Sequence, residues 1–178
     1  MLAPSVPFCS NRAMTRILGI DPGLRHTGWG VVDQDGTRLR YVASGTIDPR
    51  SDLSLGERLL ALAAGIEDVI GTHGPDAAAL EETFVSQGPR SALLLGQARG
   101  VALMVLTASG FAVGEYAATV IKKAVVGTGR ADKVQVESMI GHLLPGARGV
   151  TADAADALAV AVCHASHVGT EARTRLLA

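Results

Sequence analysis

The sequence predicts an α/β domain in which helices flank a mixed five-stranded sheet. Three observations indicate this class: short apolar segments joined by tight turns open the chain, strand-like and helix-like segments then alternate, and the helix-like segments carry apolar residues at spacings of three and four. A chain of 178 residues can bury a substantial core. We expect one domain over residues 16–168, with tails at residues 1–15 and 169–178.

The first half of the chain predicts three strands, a helix and a fourth strand. Residues 16–21 (RILGID) form an apolar run that Pro22-Gly23 ends, and further strands are expected over residues 28–32 and 38–47. The segment DQDG between them suits a hairpin turn, since glycine accepts positive φ at little cost. A helix is expected over residues 53–70, and a strand over residues 77–80 that closes on Glu81-Glu82.

The second half predicts four helices and one more strand. The helices are expected over residues 91–109, 118–126, 132–144 and 151–167, and the strand over residues 111–116. Thr151 is a candidate N-cap of the last helix. The helix at 91–109 is apolar on nearly every side, so it must be covered on more than one side. Either burial within a single chain or a second subunit would provide that cover.

Composition excludes several classes of protein. The high apolar content (48%) and the net charge of −1 exclude a mainly disordered chain. The longest uninterrupted apolar runs, such as Val101 to Leu106, fall far short of the ~18 residues that span a bilayer, so we expect no membrane segment. Two cysteines and an N-terminus without a secretory signal predict a cytoplasmic protein, with Cys163 as a small core residue.

The near-neutral total hides an uneven distribution of charge. Residues 84–133 contain six basic and two acidic residues, whereas residues 1–83 contain seven basic and eleven acidic ones. Four of the cations flank the glycine-rich break at residues 127–129: Lys122, Lys123, Arg130 and Lys133. Such a group is either a solvated face or a surface that contacts phosphates. A protein that coats nucleic acid through overall basicity is excluded, but a local basic surface is not.

Four acidic residues stand out because apolar residues surround them. Asp21 ends the first predicted strand and Glu81 ends the fourth, while Asp153 and Asp156 lie one turn apart on one face of the last helix. Strand ends at one edge of an α/β sheet are where ligands tend to bind. If the last helix packs beside that edge, the four carboxylates converge.

Converging carboxylates need a positive counter-charge, and hard divalent cations supply it. Oxygen ligands favour Mg²⁺ or Mn²⁺, and two such ions could clamp the attacking and leaving oxygens of a phosphodiester. Each signal also has a simpler explanation. An Asp at a strand end is often a turn or cap residue, and an Asp pair near a helix start often only complements the helix dipole.

Five sequence blocks occur in an order that closely resembles the RuvC family of Holliday junction resolvases. They are GIDPGLRHTGWGVV from residue 19, LEETF from 80, SALLLGQARG from 91, EYAATVIKKAVVGTGRADKVQV from 115 and ADAADALAVA from 152. The resemblance covers nearly the whole chain outside the tails. It implies an RNase H-like fold, a homodimer, metal-dependent cleavage of four-way DNA junctions that leaves a 5′-phosphate, and work beside a branch-migration motor.

The resemblance also implies roles for individual residues. The family's catalytic carboxylates fall on Asp21, Glu81, Asp153 and Asp156, so that Glu81 is preferred over Glu82. The aromatic residue that the family places against a base falls on Phe84. The family's functional lysines fall on Lys122 and Lys133. Further DNA contacts are expected at Arg90, Lys123 and Arg130.

Three other functions compete with this interpretation. The strand–Asp–Gly turn GIDPG also suits an actin-like ATPase, although such chains are longer and carry a second phosphate loop. A junction-binding scaffold without catalysis would have no need to keep all four carboxylates. A related RNase H-like nuclease could act on RNA or on replication forks.

Overall fold

The computed structural model describes residues 14–82 and 88–176, with side chains described as far as residue 168. A five-stranded sheet runs through it in the order β3-β2-β1-β4-β5. The strands are β1 (Met14–Asp21), β2 (Thr27–Asp35), β3 (Arg38–Ile47), β4 (Ala77–Glu82) and β5 (Gly114–Ala117). The first three pair antiparallel, whereas β4 pairs parallel with both β1 and β5. The predicted mixed sheet is confirmed.

Helices cover both faces of this sheet. One layer consists of α1 (Leu55–His73) and α2 (Pro89–Ala108), and the other of α3 (Ala118–Val126), α4 (Lys133–Leu143) and α5 (Ala152–Leu176). Side chains alternate along β1, so that Leu18 and Ile20 pack toward α1 and α2 while Ile17 packs toward α5. Two aliphatic cores therefore lie on either side of the sheet.

Local capping explains where several helices begin. Ser54 and Glu57 form a capping box at the start of α1, and Asp132 and Gln135 form another at the start of α4. The Thr151 hydroxyl accepts from the Ala154 N–H at 3.4 Å, as the sequence predicted for the N-terminus of α5.

Several predicted boundaries are wrong. The β2 strand continues to Asp35 and α1 to His73, each three residues beyond the predicted end. The predicted β5 began at Phe111, but only residues 114–117 pair with β4. Phe111 and Val113 pack against the α1–α2 core from the preceding loop, which explains their apolar character. The last helix continues to Leu176 instead of ending near His167, and a short 3₁₀ helix, Pro145–Ala147, lies between the helices predicted at 132–144 and 151–167. The division into one domain and two tails stays a prediction.

The α2 helix has two unlike sides. Ala98, Ala102, Val105 and Leu106 are buried against the sheet and α1, whereas the side chains of Leu93 and Met104 are largely exposed. Contrary to our expectation from uninterrupted apolar runs, this one helix of the described residues is long and apolar enough to cross a bilayer by length and composition alone. Helices at the core of soluble proteins share those properties, so the finding is weak evidence for a membrane span.

Candidate functional site

Strand alternation places Asp21 and Glu81 on the same face of the sheet. Asp21 ends β1 on the face that Ile17 occupies, and Glu81 lies on the face of β4 that Ala79 occupies. Both residues therefore point toward α5. Glu82, the next residue, takes the opposite face.

Glycines allow α5 to lie directly on this face. A Cβ atom at Gly28 would overlap the carbonyl oxygen of Asp153, and Gly28 is the cross-strand partner of Asp21. A Cβ atom at Gly19 would likewise overlap the backbone of Ala157. The close contact fixes the first turns of α5 beside the end of β1. Sequence reasoning missed this role, although the alternating glycines at 28 and 30 could have signalled it.

The packing brings the acidic residues together. Single carboxylate oxygens of Asp21, Asp153 and Asp156 all lie within 4.8 Å of one another, a separation that suits shared metal ligands. Asp21 also shares a side-chain hydrogen bond with Glu81. The four residues that the sequence singled out thus meet at one place, although Glu81 does not belong to the tightest group.

Crowding and burial alter the protonation of these groups. Burial, together with the nearby charges of Glu81 and Asp156, raises the pKa of Asp21 to about 8. Burial also raises the pKa of Glu81, while the positive charges of Lys122 and Lys133 act in the opposite direction. Added positive charge would therefore stabilise the ionised form of the cluster.

Two of the predicted lysines lie at the carboxylates. A cleft of 310 Å³ is lined by residues that include Asp21, Glu81, Asp156, Lys122 and Lys133. The Lys133 ammonium group donates to Asp156 at 2.8 Å, and this partner raises its pKa. Oxygen-only ligands with flanking cations fit Mg²⁺ or Mn²⁺, and a phosphate group beside them.

The other predicted DNA contacts are more scattered. Lys123 lies in a separate groove of 600 Å³ beside Thr119, Gly129 and His167. Arg130 is exposed in the loop between α3 and α4, and Arg90 is exposed in the first turn of α2. Phe84 lies outside the described residues. Cys163 is a free, fully buried core residue, as predicted.

Comparisons with known proteins show the family of the chain. The family model for crossover junction endodeoxyribonuclease RuvC matches residues 17–164, which include all four carboxylates. The chain belongs to the RuvC family. Curated RuvC proteins of Paramagnetospirillum magneticum and Azorhizobium caulinodans are 60% and 56% identical to it, over 88% and 91% of this chain and 94% and 96% of theirs. The chain is therefore a crossover junction endodeoxyribonuclease.

Solved structures confirm the RNase H-like fold of this RuvC chain. Thermus thermophilus RuvC, solved in complex with a Holliday junction substrate, superposes with a TM-score of 0.81 at 30% identity and covers 88% of this chain and 96% of its own. The yeast mitochondrial resolvase Ydc2 shares the fold, with a TM-score of 0.62 at 12% identity over 90% of this chain and 84% of its own. The expected fold class is confirmed.

Proposed function

We propose that the protein resolves four-way DNA junctions by paired nicks, with Asp21, Glu81, Asp153 and Asp156 as its catalytic carboxylates. The observation that carries this proposal is the convergence of carboxylate oxygens from β1 and α5 within 4.8 Å, beside two lysines. Family membership supplies the reaction class. The substrate is proposed from the Holliday junction held by the related Thermus thermophilus protein.

The carboxylates would hold two Mg²⁺ or Mn²⁺ ions. Such ions, when bound, supply an activated water and stabilise the departing 3′ oxygen, which leaves a 5′-phosphate. The raised pKa of Asp21 reports how poorly the bare cluster tolerates its full negative charge. Four side chains would set the positions of the ions. Asp21 and Glu81 are fixed at strand ends, and the two α5 residues are fixed by the contact of α5 with Gly28.

Lys122 and Lys133 complete the site from the side of α3 and α4. Both lysines line the cleft that holds the carboxylates, so a phosphate over the cluster would lie beside them. Lys133 would exchange its contact with Asp156 for a phosphate oxygen when DNA is bound. Neutralising the phosphate in this way favours attack on it.

Remaining DNA contacts would lie around this centre. Phe84 would stack on an unstacked base at the centre of the junction, an interaction worth ~1–3 kcal/mol. Arg90, Lys123 and Arg130 would contact phosphates further out, where they position the arms without reading sequence.

A homodimer would present two identical sites to the two strands that must be cut. The exposed side of α2 is our candidate for its interface. Leu93 and Met104 are 63% and 59% exposed there, and the exposed Gly96 and Gly100 lie between them on the same side. Small residues at such a stripe let two helices approach closely. We also propose a cytoplasmic location, from the low cysteine content, and work beside a branch-migration motor, which the family resemblance implies.

The test is a competition between substrates. Labelled four-way junction is incubated with the protein in Mg²⁺, in Mn²⁺ and in EDTA, with unlabelled junction, duplex or RNA–DNA hybrid as competitor. We expect metal-dependent paired nicks that only unlabelled junction suppresses efficiently. Binding without nicks in either metal would support a scaffold, and efficient competition by hybrid would support a different RNase H-like nuclease.

A further inference from the structure

The turn that follows Asp21, residues 22–26, is held by several hydrogen bonds beside the site. The Thr27 hydroxyl donates to the Gly23 carbonyl at 2.5 Å and accepts from the Gly23 N–H at 3.1 Å, which closes the turn on itself. Arg58, in the first turns of α1, donates to the Leu24 carbonyl at 3.0 Å. We call residues 22–26 the β1–β2 turn.

The far side of the β1–β2 turn is tied to the end of β3. His26 Nδ1 lies 2.7 Å from a carboxylate oxygen of Asp48, and the Thr46 hydroxyl donates to the other oxygen at 2.7 Å. The turn is therefore attached to β3 and α1 as well as to its own strands. It needs little further ordering before it can contact a ligand.

Arg25 is the arginine of this turn, and its guanidinium group has no partner among the described residues. Its side chain is exposed, and no hydrogen bond or ion pair joins it to any residue within the described ranges 14–82 and 88–168. Asp48, the acidic residue bonded to the adjacent His26, already has two partners, His26 and Thr46.

The position of Arg25 relative to the carboxylates follows from the chain. It lies four residues after Asp21, so its Cα is at most about 14 Å from that of Asp21. Successive phosphates of one DNA strand advance about 3.4 Å along the axis, so Arg25 lies within a few nucleotides of a phosphate bound at Asp21. The sheet order puts the β1–β2 turn on the β2 side of the site, whereas Lys122 follows β5 on the other side.

We propose that the β1–β2 turn is a second phosphate-binding surface, in which Arg25 contacts the cleaved DNA strand on the side of the scissile phosphate opposite Lys122 and Lys133. The proposal rests on the function proposed above. Contacts on both sides would fix the register of the strand over the carboxylates, which a contact on one side alone leaves free to slide.

The test compares Arg25→Ala with Arg38→Ala in a cleavage-deficient Asp21→Asn background. Arg38 is a matched control because it is also exposed but begins β3 at the opposite end of the sheet. Junction affinity is measured by fluorescence anisotropy between 50 and 200 mM salt. Loss of one phosphate contact lowers the slope of log affinity against log salt concentration by about one. Between 50 and 200 mM salt, the loss of affinity by Arg25→Ala should therefore be about 3.5-fold smaller than the loss by the parent.

A second measurement locates the contact. Single neutral methylphosphonate linkages are placed along the cleaved strand, and the parent, Arg25→Ala and Lys122→Ala proteins are titrated with each. We expect one linkage that weakens binding by the parent but not by Arg25→Ala, on the opposite side of the cleavage point from the linkage that Lys122→Ala ignores. Both linkages on the same side would overturn the placement.

Equal salt slopes for Arg25→Ala and Arg38→Ala would overturn the proposal. That failure is distinct from failure of the proposed function, in which the unsubstituted protein itself neither prefers nor cuts the junction. Thermal melts of both variants establish that an altered slope does not come from unfolding.

Discussion

Lys133 donates a hydrogen bond to Asp156, with its ammonium nitrogen 2.8 Å from a carboxylate oxygen. The contact joins the first turn of α4 to the second turn of α5, so it brings a cation from one element to a predicted metal ligand on another. Lys133 thereby offsets part of the negative charge that the cluster carries. Its neighbour across the cleft, Lys122, adds to the same positive field at Glu81.

Lys133→Ala should slow junction cleavage more than it weakens junction binding, because its charge acts at the carboxylates. Lys123→Ala is the matched control, since that lysine lies in a different groove. We expect Lys133→Ala to lower the single-turnover cleavage rate by on the order of 10²-fold and Lys123→Ala to leave it within a few-fold. Equal effects of both changes on the rate would contradict the assignment.

Gly28→Ala should displace the start of α5, because the added methyl group overlaps the Asp153 backbone. We expect destabilisation of about 1–3 kcal/mol and a large loss of cleavage, measured by urea denaturation and on labelled junction. Gly56→Ala, at the exposed start of α1 where nothing lies within 4 Å of the new atom, should leave both unchanged or slightly raise stability. Wild-type cleavage by Gly28→Ala would show that the glycine contact does not position Asp153.

Without metal, the protein should lose stability as the pH rises from about 4 toward 8. Folding raises the pKa of Asp21 from 3.8 to about 8, so the folded state retains a proton over this range that the unfolded chain has released. Asp21→Asn removes the part of this dependence that Asp21 causes, whereas the part from Glu81, whose pKa burial also raises, remains. At pH 8.5 in EDTA it should therefore be more stable than the parent by at least ~1 kcal/mol, or about 2–4 °C.

Thermal melts at pH 5 and pH 8.5 measure this difference. Glu82→Gln is the control, because Glu82 lies on the other face of β4 and should keep the parental pH dependence. A parental pH dependence in Asp21→Asn would mean that Asp21 is not the group that holds the proton.

Met104→Asp should dissociate the proposed dimer, since it places a charge on the exposed side of α2. Sedimentation equilibrium at micromolar concentration measures the change. Val134→Asp is the control, because Val134 is 73% exposed on α4, in the helical layer on the opposite side of the sheet. A monomeric parent protein, or a dimeric Met104→Asp variant, would exclude this interface.

The sequence predicted the strand ends that carry Asp21 and Glu81 because apolar runs and turn residues are local signals. It also predicted the shared helical face of Asp153 and Asp156, which depends only on a spacing of three. These local features predicted that four carboxylates converge, on the assumption that the last helix packs beside the sheet edge.

Sequence patterns did not predict the contacts between elements that lie far apart in the chain. The pair of Lys133 and Asp156 depends on how α4 packs on α5 through buried residues such as Val136 and Ile140. The apolar segment from Phe111 to Val113 has the composition of a strand, yet it packs from a loop because β5 pairs only where β4 offers a partner. Periodicity describes which side of an element is apolar, and tertiary packing decides what lies against it.

The carboxylates on the α5 side of the sheet edge should be the groups that cut the junction. Asp21→Asn and Glu82→Gln each remove one carboxylate, and the cut strands of a labelled four-way junction are followed in Mg²⁺ or Mn²⁺. We predict that Asp21→Asn binds the junction but cuts at least ~10²-fold more slowly, while Glu82→Gln makes paired nicks with ligatable 5′-phosphates at the parental rate. Parental cleavage by Asp21→Asn would contradict the claim.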